Sequence, residues 1–401
     1  MIMRAALPFA GVAIILLAGG MMLNRFYTDA AFLPPDDFLQ YWAAGRLNAT
    51  GGDPYDADQL LVLQRDAGRP VEKPAVMMWN PPWVLTLAMP FGLLPPRTAQ
   101  LFWLLAQLAI LICSADHFWS AYGGESRHRP WVWGGAIAFY PLMYIVFAGQ
   151  SSGWLLLGLV GIISCPSRKR GLLLLPFLAV KPHLFVPIWI VLLLESIRVR
   201  RGREMLGFGI AVGIAATAVP TLVNPDVWSQ YFAAMNRPVD AAHSPLSGWR
   251  SPLIGWWVRD AVMQEAFWIQ AVPAVLVAIF TPLYWWKRRA NWDWCVELPR
   301  LVLAGLICSP YGAWPYDQIV LLVPIAAGLA ALVRNGSRYQ LAAGLLALGI
   351  VNGIAMTIRE GEHFVWVPPA IALWYAWACS LRNAVTLHCH TDRVAFAGAA
   401  S

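Results

Sequence analysis

Long, uniformly apolar runs recur along this chain, separated by short polar or basic stretches, and that repetition leaves few folds open. In hydrocarbon every backbone N–H and C=O must be satisfied within the structure, so such a run crosses a membrane as a helix. A barrel would need short strands of alternating polarity, and these runs do not alternate. Composition agrees, since 59% of the residues are hydrophobic, 13% are charged, and mean hydropathy is +0.55. That lies outside the balance of a soluble domain. The expectation is an all-α, polytopic membrane bundle forming one domain over residues 1–401. Its 22 tryptophans suit headgroup level, where an apolar ring with one hydrogen-bonding edge is stable.

Basic residues cluster between the apolar runs, as at Arg198, Arg200, Arg201 and Arg203, and at Lys287, Arg288 and Arg289. Retention of basic loops in the cytoplasm explains a formal charge of +7 without a nucleic-acid partner. The six cysteines have no CxxC spacing, which argues against a disulfide framework or a zinc site. The tail Leu387-His388-Cys389-His390 has soft-metal ligand types, but adjacent ligands at a chain end are more often incidental. No metal site is expected.

The first apolar run, 7–23, reads as an uncleaved anchor. Residues 24–80 then form an outer loop too long for a mere connection. Within it, Asp37 to Leu47 lacks proline and sets Asp37, Tyr41 and Ala44 on one helical face, with Phe38, Leu39 and Trp42 available to the membrane interface. Asp36, after Pro34 and Pro35, is placed to cap that helix. A turn at Gly51-Gly52-Asp53-Pro54 precedes a second short helix over 58–65, so the loop reads as two helices on the membrane surface.

Further spans are expected near 79–94, 99–117, 131–147, a fifth reaching 163, and then 205–222, 266–286, 301–309, 319–332, 341–356 and 364–381. The run 171–194 is interrupted by Lys181-Pro182-His183 and reads either as one kinked span or as two short ones. The total is about twelve, with both ends cytoplasmic. A second long outer loop covers 224–264. A lysine at mid-membrane costs about 2.5 to 3.5 kcal/mol on insertion, which favours an aqueous cavity around Lys181.

The chemistry gathers where the chain leaves the lipid. A carboxylate such as Asp37, partly buried beside a hydrophobic groove, can act as a general base on a hydroxyl. An anionic leaving group needs cations where its charge develops, and Lys181, His183, Arg250 and Arg259 are the candidates for a phosphate. Plainer roles exist for each: snorkelling for Lys181, a satisfied core histidine for His183, headgroup anchoring for the arginines. The break Ser309-Pro310-Tyr311-Gly312-Ala313-Trp314-Pro315-Tyr316-Asp317 reads as a cavity wall, with Asp317 either orienting an acceptor or capping the next helix.

Taken in order, Asp37-x-x-x-Tyr41-x-Ala-Ala-Gly, Gly52-Asp-Pro-Tyr55, Asn80-Pro-Pro, Gly149-Gln150, Lys181-Pro182 and Ser309-Pro310 followed by Asp317 resemble glycosyltransferase family 87. These are polyprenol-phosphate-mannose-dependent mannosyltransferases of GT-C architecture. The resemblance implies a first-loop aspartate as catalytic base, which maps to Asp37, and direct displacement at the anomeric carbon with inversion. It also implies no obligatory metal, because the donor carries a single phosphate. Candidate substrate contacts are Asp36 and Tyr41 beside the base, with Asn80, Gln150 and Tyr316 from the other motifs. Some members carry histidine in the segment after Ser-Pro, where this chain has Trp314-Pro315-Tyr316-Asp317.

The expected protein is therefore an inner-membrane enzyme moving one sugar, mannose or another hexose, from a polyprenyl-phosphate carrier to a hydroxyl of a glycolipid or glycan on the periplasmic side. Membrane lipid surrounds it, and no cofactor beyond the lipid-linked donor is needed. The competing reading is a secondary transporter or lipid flippase. Such proteins usually pair two similar halves with matching broken helices, a correspondence this chain lacks.

Overall fold

The computed structural model describes residues 17–29, 31–164, 169–236, 251–263 and 266–381. Arg250 and the His-Cys-His tail lie outside them, as does most of the expected first span. Among the described residues the protein is all-helical, without a strand. Helix α1 is described over 17–28. The first loop carries α2 (Phe38–Ala49) and α3 (Ala57–Asp66), and a 3₁₀ turn at Pro82–Val84 leads into α4 (Leu85–Gly92). There follow α5 (Pro96–Ala121), α6 (Arg129–Ile137), α7 (Tyr140–Ala148), α8 (Leu155–Ser164), a 3₁₀ stretch over Lys169–Val180, α9 (Val186–Arg198) and α10 (Arg200–Val223). Helices α11 (Val227–Asn236), α12 (Ile254–Val262), α13 (Val272–Arg288), α14 (Trp294–Ile307), α15 (Leu322–Asn335), α16 (Arg338–Thr357) and α17 (Val367–Ser380) complete the chain.

Five helical stretches among the described residues are long and apolar enough to cross a membrane, against the twelve or so expected. They are Pro96–Ala121, Arg200–Val223, Trp268–Asn291, Asp317–Asn335 and Arg338–Thr357. Counting each bent pair as one span gives seven: Ser126–Ile137 with Tyr140–Ala148, bent by 51°, and Gly171–Val180 with Pro182–Arg198, bent by 116°. The second bend resolves the ambiguous 171–194 run as a broken element turning at Lys181.

Several apolar runs are shorter than a crossing because protein, not lipid, surrounds them. Helix α8 has ten residues and is buried along nearly its whole length, and α14, with fourteen, is likewise mostly buried. The run expected to cross at 79–94 contributes only the eight residues of α4, about 12 Å of helix at 1.5 Å per residue. That is less than half of a hydrocarbon core roughly 30 Å thick. The spans also differ in setting. The window within Asp317–Asn335 is 78% buried in the protein and forms its centre, whereas that within α10 is 6% buried and lies at the periphery.

The first loop departs most from expectation. Helix α2 does not rest on a surface, because Phe38, Leu39, Tyr41, Trp42, Ala43 and Ala44 are all buried within the protein. It is packed against α4 closely enough to require glycine on both sides. A Cβ at Gly45 would stand 2.5 Å from the Ala88 carbonyl oxygen, and one at Gly92 would stand 2.3 Å from the Arg46 nitrogen. Trp42 Nε1 donates to the Leu94 carbonyl at 3.0 Å and Trp103 stacks on Tyr41 at 5.2 Å, so the aromatic rings serve the core, not lipid. The second short helix falls close to its expected bounds, with Asp56 accepting from the Asp58 and Gln59 amides at its start.

Because backbone stands where the Gly45 side chain would extend, Gly45→Ala is expected to destabilise the protein by about 1–3 kcal/mol. Gly134→Ala, with no atom within 4 Å of the added carbon, is expected to be neutral or slightly stabilising. Thermal unfolding of the two variants in the same detergent checks the contrast.

Candidate active site

A cavity of about 540 Å³ opens beside the start of α2. Its wall is assembled from the first loop with its closing Asn80 turn, the Gln150 turn, the Lys181 break, α11 through Tyr231 and Met235, and the 311–317 loop, five segments distant in sequence. Of the expected site residues, Asp36, Asp37, Tyr41, Asn80, Gln150, Lys181, His183, Tyr316 and Asp317 all line it. Arg259 does not, being buried in α12 away from the cavity wall.

Gln150 is the hub. Helix α7 ends at Gly149 in the left-handed region, φ +71°, and a Cβ there would meet Phe38 Cβ at 2.5 Å. Glycine therefore lets the end of α7 close onto the start of α2, bringing Gln150 against Asp37. Gln150 Nε2 donates to Asp37 Oδ2 at 2.6 Å, while its Oε1 accepts from the Tyr41 hydroxyl at 3.1 Å and from Lys181 Nζ at 3.3 Å. The Tyr41 hydroxyl also meets Ser151 Oγ at 3.0 Å, so it is fully engaged by protein.

Asp37 occupies the cap position of α2, but its side chain makes no cap bond. The expectation that Asp36 caps this helix is corrected accordingly. Asp36 is exposed at the cavity mouth, 3.8 Å from Arg69 Nη1, and the carboxylate at the cap position turns to Gln150 instead. Asp37 lies before the helix and outside the spans. Burial pushes its carboxyl up to about 6; the Gln150 hydrogen bond opposes the rise, Asp36 adds to it, and Lys181 and Arg69 lower it. A carboxylate near 6 is ionised at neutral pH yet basic enough to take a proton.

Lys181 stands at the 116° break, where its nitrogen meets Asp317 Oδ1 at 2.6 Å and Ser152 Oγ at 3.0 Å in addition to Gln150. An ammonium has three donors, and these three acceptors use them all. Its charge also sits over the Tyr316 ring, 4.6 Å from the centroid. Asp317, completely buried, further accepts from Ser152 Oγ at 2.6 Å and from the Trp314 amide at 3.1 Å. It is thus the counter-charge of Lys181 and does not cap the turn that follows it. Asn80 Nδ2 donates to the Val180 carbonyl at 3.1 Å, which fixes the backbone just before Lys181.

His183 packs edge-on against Tyr311, 5.3 Å between rings, and its Nε2 is buried with no hydrogen-bond partner among the described residues. Gly312 at φ +79° leaves room for it, since a Cβ there would come within 2.6 Å of that nitrogen. Three contributors escaped the sequence reading. Ser152 was visible only as part of a small-residue turn. Tyr311 carried no signal beyond its place in the Ser-Pro loop. Arg69, in Gly68-Arg69-Pro70, belongs to no motif or periodic pattern, so the sequence does not mark it.

A polar, acid-bearing cavity set into an apolar helical protein marks an enzyme or carrier working at a membrane. The family model for glycosyltransferase family 87 matches residues 79–310, more than half of the chain. The chain belongs to that family and is a membrane glycosyltransferase. No match was found among curated proteins or among solved structures. The matched segment includes Asn80, Gln150, Lys181 and His183 but neither Asp37 nor Asp317. Direct bonds from Gln150 and Lys181 tie those two carboxylates to it.

Removing one member of a buried pair strands the other's charge, so Lys181→Met and Asp317→Asn are each expected to cost about 3–5 kcal/mol. The double variant is expected to lose much less than the sum. A double-mutant cycle of unfolding in detergent measures this, and strictly additive losses would show the pair to be uncoupled.

Proposed function

We propose that this glycosyltransferase moves a single sugar, mannose or another hexose, from a polyprenyl-phosphate donor to an acceptor hydroxyl, with inversion and with Asp37 as general base. The observation that carries the reading is Asp37 itself, held by Gln150 at 2.6 Å on the wall of a cavity large enough for a sugar. In the reaction the acceptor oxygen attacks the anomeric carbon and its proton passes to the Asp37 carboxylate. The bond from that carbon to the phosphate oxygen breaks, and its electron pair leaves with the polyprenyl phosphate. Tyr41 and Gln150 keep the base in place, and Asn80 holds the Lys181 segment. The Lys181–Asp317 pair gives the cavity floor a fixed polar surface that needs no water to stabilise it.

In this reading residues 1–401 form one membrane domain of GT-C architecture in a cell inner membrane, with the cavity facing the periplasm. A donor with a single phosphate asks for no metal, and the acceptor is a glycolipid or glycan. Tyr316 and His183 border the space a sugar would occupy, while the apolar lining from Val76, Met77, Pro81 and Met235 suits the first isoprene units of the carrier.

Asp37→Asn keeps the hydrogen-bonding shape but removes the base, and transfer from a labelled polyprenyl-phosphate hexose to an acceptor extract is expected to fall by 10² or more. Near-normal turnover by a folded Asp37→Asn protein would refute the role. In the wild type kcat/KM is expected to be flat above pH 6 and to drop about tenfold per unit below it, because protonation of Asp37 near 6 disables the base. A chelator is expected to leave the rate unchanged.

A further inference from the structure

Three basic side chains line the cavity, and the three donors of one, Lys181, are consumed by Asp317, Ser152 and Gln150. A new anion could reach it only by displacing a partner in a buried ion pair, which is unfavourable. His183 offers one ring nitrogen and no permanent charge. The third is Arg69. Its side chain is only 8% exposed, yet its donors are mostly uncommitted. Nε donates to the Pro74 carbonyl at 2.5 Å, which locks the guanidinium plane, and Nη1 lies 3.8 Å from Asp36, too far for a hydrogen bond. The remaining N–H groups have no hydrogen bond among the described residues, and the residue lies on the cavity wall with Asp37.

We propose that Arg69 is the residue that binds the phosphate of the lipid-linked donor, with Lys181 acting as the structural counter-ion of Asp317. This assignment rests on the function proposed above and replaces Lys181 by Arg69 in one role. A guanidinium presents two parallel N–H groups that match two phosphate oxygens, and one held by Pro74 is already oriented. Placing it on the same wall as the base lets one phosphate be gripped as the bond to the sugar breaks, where charge on the leaving oxygen grows. Asp36, half-exposed and 3.8 Å from Nη1, does not occupy these donors.

The test compares wild type, Arg69→Gln, Arg69→Lys and Asp37→Asn, each purified and checked for a cooperative unfolding transition. Two quantities are read: KM and kcat for a labelled polyprenyl-phosphate hexose, and inhibition by free polyprenyl phosphate. Arg69→Gln is expected to raise donor KM and weaken inhibition together, on the order of 10- to 100-fold, as expected for a lost charge-assisted hydrogen bond. Arg69→Lys is expected to recover part of both, since it restores the charge but not the fork. Asp37→Asn is expected to lose turnover yet keep the inhibitor's affinity. If both Arg69 variants keep wild-type KM and inhibition while Asp37→Asn is inactive, the phosphate assignment is wrong and the enzyme reading stands. If wild type neither transfers the sugar nor binds polyprenyl phosphate, both fall.

Discussion

A lysine buried among apolar helices must find its counter-charge and all its hydrogen-bond acceptors inside the protein. Lys181 does so through Asp317, Ser152 and Gln150. Desolvating either charge alone costs several kcal/mol, about the whole net stability margin of many domains, so the segments that bring these partners together cannot drift apart. The pair thereby joins the break after Val180, the turn after α7 and the start of the central span. The cavity is the space enclosed when those three are drawn together with the first loop.

The same arrangement divides labour between two carboxylates. Asp317 is completely buried and faces a lysine that balances its charge. Asp37 is half-buried, is held by an uncharged amide and has its carboxyl raised to about 6, so it keeps a usable proton affinity. Gln150 separates the roles because one amide bonds both sides, its nitrogen on Asp37 and its oxygen facing Lys181 and Tyr41. One acid is thus paired with a charge, and the other is held by a neutral partner; the proposed function gives the second the part of the base.

Some of this was legible from residues alone. A proline-free, Asp-led stretch after Pro34-Pro35 announced α2, and the turn at Gly51-Gly52-Asp53-Pro54 announced a second short helix over 58–65, close to the observed α3. Interruption of an apolar run by Lys181-Pro182 announced a break, because proline removes a donor and a buried charge needs a cavity. The span count was not legible. An apolar surface looks the same in sequence whether lipid or another helix covers it, and α8 and α14 are covered largely by protein. For the same reason Phe38 and Trp42, which suit a lipid interface, turned out to be core. Arg69 was invisible because nothing in its neighbours sets it apart from an ordinary loop arginine; only the Pro74 carbonyl and the cavity wall do that.

Sequence by itself determined that this chain is helical and membrane-bound, that it resembles its family, and that an acidic group waits in the first loop. The first and last follow from local composition and short spacing, and the resemblance from the order of motifs along the chain, none of which the folded context alters. Tertiary structure alone decided which acid is paired with a cation and which with an amide, and which cation keeps its donors open. Gln150 lies 113 residues from Asp37, and Lys181 lies 136 residues from Asp317. Proton affinity and hydrogen-bond capacity depend on what surrounds a group within a few ångströms, and at such separations only the packing of helices sets that.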